Sequence, residues 1–185
     1  MIPVGFNHQQ IRDFLTENDH FVIGSHIRPD GDAIGAVIAL GISLQSLGKT
    51  TQMILEDGLP ASFKFLQGAN QVSRKIYPGY QSIISIDCAD KKRMGDQFTD
   101  KSVGLNIDHH ITNEAFAKIN LIDAEASSAC ESLAEYMPSW GLPITQPVAN
   151  ALVTGIVNDT IGVKTPNVTS KTLKLVADLI KVGQK

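Results

Sequence analysis

The chain reads as an α/β domain, a Rossmann-like three-layer sandwich on a mainly parallel sheet of about five strands. Apolar runs of four or five residues recur between longer helical patterns, as they do where strands are joined by crossover helices. Aspartate and histidine cluster directly after three of these runs, where open parallel sheets place their ligand sites. At 185 residues and 43% hydrophobic side chains, the chain has the size and apolar content of one domain with a sizeable core.

Ile11, Phe14 and Leu15 fall at i, i+3 and i+4 behind Asn7 and Gln10, which predicts a capped amphipathic helix over 8–18. Residues 21–25 form a buried strand. Residues 33–47 are apolar nearly all round and precede Gly48, the pattern of a buried helix with a glycine cap. Gly35 and Gly41 are expected to bring that helix close to the sheet. Residues 51–55 give the second strand, and Pro60 to Leu66 a short helix with proline near its first turn. Residues 83–86, 103–107 and 119–122 supply three further strands. Ser128 and Glu131 have capping-box spacing and open a helix that runs to about Tyr136, interrupted at Pro138. Helices over 147–157 and 170–182, the second closed by Gly183, complete the pattern. No repeat, low-complexity segment or internal linker interrupts it.

Composition excludes several classes. A net charge of −3 disfavours the broad basic surface that holds long duplex nucleic acid. No uncharged apolar run reaches the roughly 18 residues of a membrane span, and Met1 to Phe6 lacks the features of a signal peptide. Cys88 and Cys130 form no CxxC pair and are expected to be reduced thiols in a cytoplasmic protein. GxGxxG, Walker A and HExxH patterns are missing, which disfavours dinucleotide cofactors, P-loop NTPases and zincins.

Four motifs carry the chemistry: His26-Ile27-Arg28-Pro29-Asp30-Gly31-Asp32, Ile86-Asp87-Cys88-Ala89-Asp90, Asp108-His109-His110 and Asn158-Asp159-Thr160. Carboxylates and imidazoles gathered in one crevice repel each other or stay unpaired unless cations neutralise them. The set suits two divalent ions, one held by His26, Asp30 and Asp87, the other by Asp32, Asp87, His109 and Asp159, with Asp87 bridging. Asp159 is expected to reach in from the loop after a helix. Two such ions about 3.5–4 Å apart generate a hydroxide and clamp a phosphoryl group, which removes the need for a nucleophilic side chain. Oxygen and imidazole donors fit Mn²⁺ well, with Mg²⁺ or Co²⁺ as alternatives. His110 is the candidate to hold the phosphate or assist the leaving oxygen, and Asp108 to orient a metal-bound imidazole.

The remaining polar residues divide. Asp90 and Asp123 read as turn formers or caps, His8 and His20 as surface residues, and Cys88 as packing. Arg93, in the basic triplet after the second motif, is a candidate phosphate contact. Ser127 and Ser128 read as helix caps that can also face substrate from a helix N-terminus.

These motifs resemble the DHH phosphoesterase superfamily across nearly the whole chain: HIRPDGDAIGA its first motif, IDCADKKRMG its second, NIDHHITN its third and GIVNDTIGVKT its fourth. Within it the resemblance is to the NrnA-like branch of nanoRNases and 3′-phosphoadenosine 5′-phosphate phosphatases. The resemblance implies a Mn²⁺-dependent phosphoesterase acting on short single-stranded RNA or a small phosphorylated nucleotide, with Asn113 as a substrate contact or structural polar group and a homodimer possible. Related enzymes imply pyrophosphate or polyphosphate hydrolysis as the alternative. Residues 1–185 then form the catalytic domain, and the branch's usual C-terminal substrate-binding domain is absent from this chain. A metal- and nucleotide-binding domain without turnover is the third expectation. The fourth motif departs from the family's form, with Asn158 where threonine is usual and Ile161 interrupting Asp-Thr-Gly.

Overall fold

Strands β1 (His20–Gly24), β2 (Thr50–Ile54), β3 (Val72–Ser73), β4 (Ser82–Ile86), β5 (Leu105–Asp108) and β6 (Ile119–Ile122) form one sheet in the order β3-β2-β1-β4-β5-β6. Every pairing is parallel. The computed structural model describes residues 7–183; Met1 to Phe6, on which the reading of no leader rests, lies outside them. The chain leaves β1 through β2 and β3 on one side, then crosses back to lay β4, β5 and β6 on the other. That reversal is the switch point of a doubly wound sheet, and it opens a crevice at the C-terminal ends of β1 and β4.

The helices are α1 (His8–Glu17), α2 (Gly31–Ser46), α3 (Ala129–Tyr136), α4 (Gln146–Asp159) and α5 (Ser170–Gly183). Asn7 caps α1 by accepting the Gln10 amide, as expected. The sheet's strands alternate sides. Phe21, Ile23, Met53, Ile84, Leu105 and Ile107 enter the large core beneath α2, α3 and α4. Val22, Ile54 and Ile83 face a smaller cluster with Cys88, Met94, Phe98 and Val103. The layer on that second face is thin, because Lys91–Met94 and Asp96–Phe98 are 3-10 turns.

Four expectations change here. Only β1 and β2 are joined by an α-helix; Pro60 to Leu66 forms one 3-10 turn over Ala61–Phe63. The sixth strand, β3, has two residues and pairs only with Met53 and Ile54, too little for an apolar run to announce it. Gly41 does face the sheet, where a Cβ would meet Met53, but Gly35 faces α4, where a Cβ would lie 2.5 Å from the Ala151 carbonyl. That contact seats α4 directly on α2. His8, read as a surface residue, is only partly exposed: its Nδ1 accepts the Trp140 indole N–H at 3.1 Å. His20 is exposed as expected. Among the described residues no helix is long and apolar enough to cross a membrane.

Candidate metal centre

All four motifs converge on the switch-point crevice. His26 follows β1, Asp87 follows β4, and His109 and His110 follow β5. Ser25 Oγ donates to the Ile86 carbonyl at 2.6 Å and ties the ends of β1 and β4 together. Asp87 comes next, in the left-handed region with φ 54°, a costly conformation for a residue with a side chain and one that concentrates at functional sites.

Each first-motif carboxylate is half committed to backbone. Asp30 Oδ1 caps α2 by accepting the Asp32 and Ala33 amides, while Oδ2 lies 3.9 Å from His26 Nε2. Asp32 is fully buried, and its two oxygens accept the Ala129 and Cys130 amides at 2.6 and 2.9 Å. The N-terminus of α3, a ready anion site, is thus filled by Asp32 itself. His26 Nδ1 lies 2.9 Å from the Ile27 carbonyl, which fixes the ring and leaves Nε2 facing the carboxylates.

Asp87, 2% exposed, stands at the centre. Its Oδ2 is 3.5 Å from His26 Nε2 and its Oδ1 3.5 Å from His109 Nε2. His109 Nε2 also lies 3.9 Å from Asp32 Oδ2 and 3.9 Å from Asp159 Oδ2. These separations exceed a hydrogen bond but match donor atoms that share one ion at bonds of about 2.1 Å, which sit about 3–4 Å apart. Asp87 Oδ1 is buried and accepts no hydrogen bond. Such an atom is costly unless something electropositive meets it. The residues therefore fit divalent metal, in three overlapping groups: Asp87, Asp108, His109 and His110; His26, Asp30 and Asp87; and Asp32, His109 and Asp159.

Electrostatics point the same way. Burial, then the charge of Asp87, pushes the Asp32 carboxyl up to about 7. Burial raises Asp159 as well. Burial alone would lower His109, but Asp87, Asp32 and Asp159 outweigh it and hold the imidazole at about 9. Burial alone would raise Asp87, but the combined attraction of the His109 and His26 imidazoles outweighs it and holds the carboxyl below the ordinary range.

One placement differs from the sequence reading. Asp159 is the last residue of α4, not part of the following loop. It reaches Asp32 because α4 packs close there: a Cβ on Gly155 would sit 2.2 Å from Cys130 Sγ and 3.0 Å from Asp32 Oδ1. Asp108 holds His110, with Oδ1 2.8 Å from His110 Nδ1. Asn113 turns inward, donating to Asp108 Oδ2 at 2.5 Å and to the Cys88 carbonyl at 3.1 Å, so it braces Asp108. Arg93 is exposed, and its carbonyl accepts the Ile27 amide at 2.6 Å, anchoring the first motif by backbone alone. Ser128 caps α3 as expected, its hydroxyl accepting the Glu131 amide, and both Ser127 and Ser128 are fully buried.

Asp90 caps the 3-10 turn at Lys91, and Asp123 accepts the Glu125 amide and the Tyr136 hydroxyl. Burial raises the Cys88 thiol to about 12, consistent with packing. Asn158 accepts the Gly31 amide at 2.9 Å and joins the first motif to the fourth, a role that sequence spacing does not reveal. Ile161 adopts φ 52°, where a glycine would sit without strain.

A doubly wound parallel sheet with this carboxylate–imidazole cluster at its switch point is an α/β domain whose crevice could hold metal. The sequence matches the DHH family, N-terminal domain, over residues 20–156, and the chain belongs to that family. It is 30% identical to the bifunctional oligoribonuclease and PAP phosphatase NrnA of Thermus thermophilus over 88% of this chain and 50% of that protein. It is 27% identical to a probable manganese-dependent inorganic pyrophosphatase of Lactobacillus helveticus, over 88% of this chain and 54% of that one. An exopolyphosphatase-related protein from Bacteroides fragilis shares the fold, with a TM-score of 0.86 at 24% identity over 98% of this chain and 59% of that one. The chain spans about half the length of the relatives it matches.

Proposed function

We propose that this domain is a dinuclear, Mn²⁺-dependent phosphoesterase that hydrolyses short oligoribonucleotides or small nucleotides such as 3′-phosphoadenosine 5′-phosphate. The observation that carries the reading is Asp87, whose two oxygens face His26 and His109 equally, one of them buried without a hydrogen bond. The resemblance to NrnA supports the substrate class, and the relative named for manganese supports the metal. Two buried, unbridged thiols fit a reducing cytoplasmic setting.

In this reading His26, Asp30 and Asp87 hold one ion and Asp32, Asp87, His109 and Asp159 the other. When bound, the pair supplies an activated water and charge neutralisation at the phosphoryl oxygens. His110, with a side chain 38% exposed, stands at the mouth of the site. Its bond to Asp108 raises its basicity and commits Nδ1, so the proton it offers a substrate is on Nε2. As the water oxygen bonds phosphorus and the P–O ester bond breaks, the leaving oxygen takes that proton and the water's own proton passes to solvent. Asp108, braced by Asn113, keeps the ring in line.

The test is mononucleotide release from a 5′-phosphorylated adenylate dinucleotide by metal-stripped protein resupplied with Mn²⁺, beside Asp87→Asn and with pyrophosphate in a parallel reaction. Product only with metal and wild-type Asp87 is expected. Phosphate from pyrophosphate alone would support the anhydride reading, which the pyrophosphatase and exopolyphosphatase relatives motivate. Nucleotide binding with no product would mean a binding domain that needs a companion, and full activity of Asp87→Asn would overturn the mechanism.

A further inference from the structure

Glu131 is a carboxylate the mechanism does not use, yet it is 1% exposed. In a capping box its side chain would return to the Ser128 amide. Instead Oε2 accepts both the Ser127 amide, at 2.9 Å, and the Ser127 hydroxyl, in a short bond. Thr172 of α5, itself fully buried, donates its hydroxyl to both Glu131 oxygens at 3.1 Å. Among the described residues no cation pairs with it at contact distance; the neighbouring lysine, Lys171, pairs with Glu135. Burying a carboxylate on neutral donors alone is expensive, and a cap needs only the Ser128 hydroxyl that already accepts the Glu131 amide at 3.0 Å.

What the arrangement fixes lies one residue further on. Ser127 is locked at its amide and hydroxyl by Glu131 and at its carbonyl by Asn167, 3.4 Å away. The chain then enters α3 with the Ala129 and Cys130 amides aimed at the two oxygens of Asp32. Because each oxygen spends a lone pair on an amide, the direction in which Asp32 offers its remaining pairs is set by where those amides point.

We propose that Glu131, clamped by Thr172, is a positioning residue that sets the orientation of Asp32 and so the affinity of the ion shared by Asp32, His109 and Asp159, without acting on the ion held by His26 and Asp30. This rests on the two-ion reading given above. Groups that orient a metal ligand from behind typically change affinity by about 10–100-fold when removed.

The experiment is calorimetric titration of metal-stripped protein with Mn²⁺, combined with electron paramagnetic resonance of the spin-coupled ion pair. It covers wild type, Glu131→Ala, Glu131→Gln, Thr172→Val and Asp32→Asn. Wild type should bind two ions. Glu131→Ala should lose at least about tenfold in affinity for one ion, lose the coupled signal at stoichiometric metal, and match the pattern of Asp32→Asn, with the other ion unchanged. Glu131→Gln, which keeps the shape and can still accept from Ser127, should recover part of the loss. Thr172→Val, which removes only the far donor, should show a smaller loss of the same kind and stands in if Glu131→Ala does not fold. Two ions bound by the folded variants at wild-type affinity, or equal weakening of both ions, would overturn the proposal while leaving the metal centre standing. Failure of wild type to bind two ions would remove the two-ion reading and the proposal with it.

Discussion

Loading the cluster with metal should release more than one proton at neutral pH. His109, with a side chain 12% exposed and therefore little screened, titrates near 9 among its carboxylates, and Asp32 near 7. An ion can take neither ligand until it is deprotonated. At pH 7, about two units below its pKa, freeing His109 costs about 3 kcal/mol, on the order of 100-fold in apparent affinity. Asp32 is then about half protonated and adds a fraction of a second proton. Mn²⁺ affinity should therefore rise about tenfold per pH unit from 6.5 to 8.5 for each proton displaced.

Stability of the metal-free protein runs in the opposite direction. The raised His109 pKa contributes stability that is complete below 6.5 and disappears as pH rises through about 9. For Asp32 the folded state keeps a proton that the unfolded chain has given up, so stability falls between 3.8 and about 7. The gap in melting temperature between loaded and metal-free protein should thus widen with pH. Calorimetry in two buffers of different ionisation enthalpy counts the protons, and thermal melts at pH 6.5, 7.5 and 8.5 test the stability. Metal binding with no net proton release and no pH dependence would refute the assignment of His109 and Asp32 as ligands.

Two further outcomes follow from packing. Gly155→Ala places a Cβ 2.2 Å from Cys130 Sγ and should cost about 1–3 kcal/mol, lowering the melting temperature by about 2–4 °C per kcal/mol; an unchanged melt would show that α4 can shift without strain. Cys88, raised to about 12, and the fully buried Cys130, also raised by burial, should both resist a disulfide reagent at pH 8 until denaturant is added; rapid labelling of Cys88 in the native state would contradict its packing role.

The sequence by itself determined the class of the fold and the membership of the cluster. Short continuous apolar runs announce buried strands, and polar groups fixed just after Gly24, Ile86 and Asp108 must collect at the C-terminal ends of a parallel sheet whatever the loops do. His26, Asp30, Asp32, Asp87 and His109 were legible for that reason, whereas Asp159 ends a helix and was picked out by its own motif. Local pattern fails where a residue's partner is distant in the chain. Nothing near Asp32 announces that amides about a hundred residues on will take both its oxygens, and nothing near Asp108 says that it holds His110. Asn113 entered through the motif resemblance as a substrate contact or a structural polar group, and only the path of the backbone shows it turned inward onto Asp108. The covering of the second sheet face by 3-10 turns, the two-residue β3 and the seating of α4 on α2 through Gly35 and Gly155 were likewise decided only in the tertiary structure. Each depends on which surfaces meet, and short apolar segments accept many neighbours until the whole chain has packed.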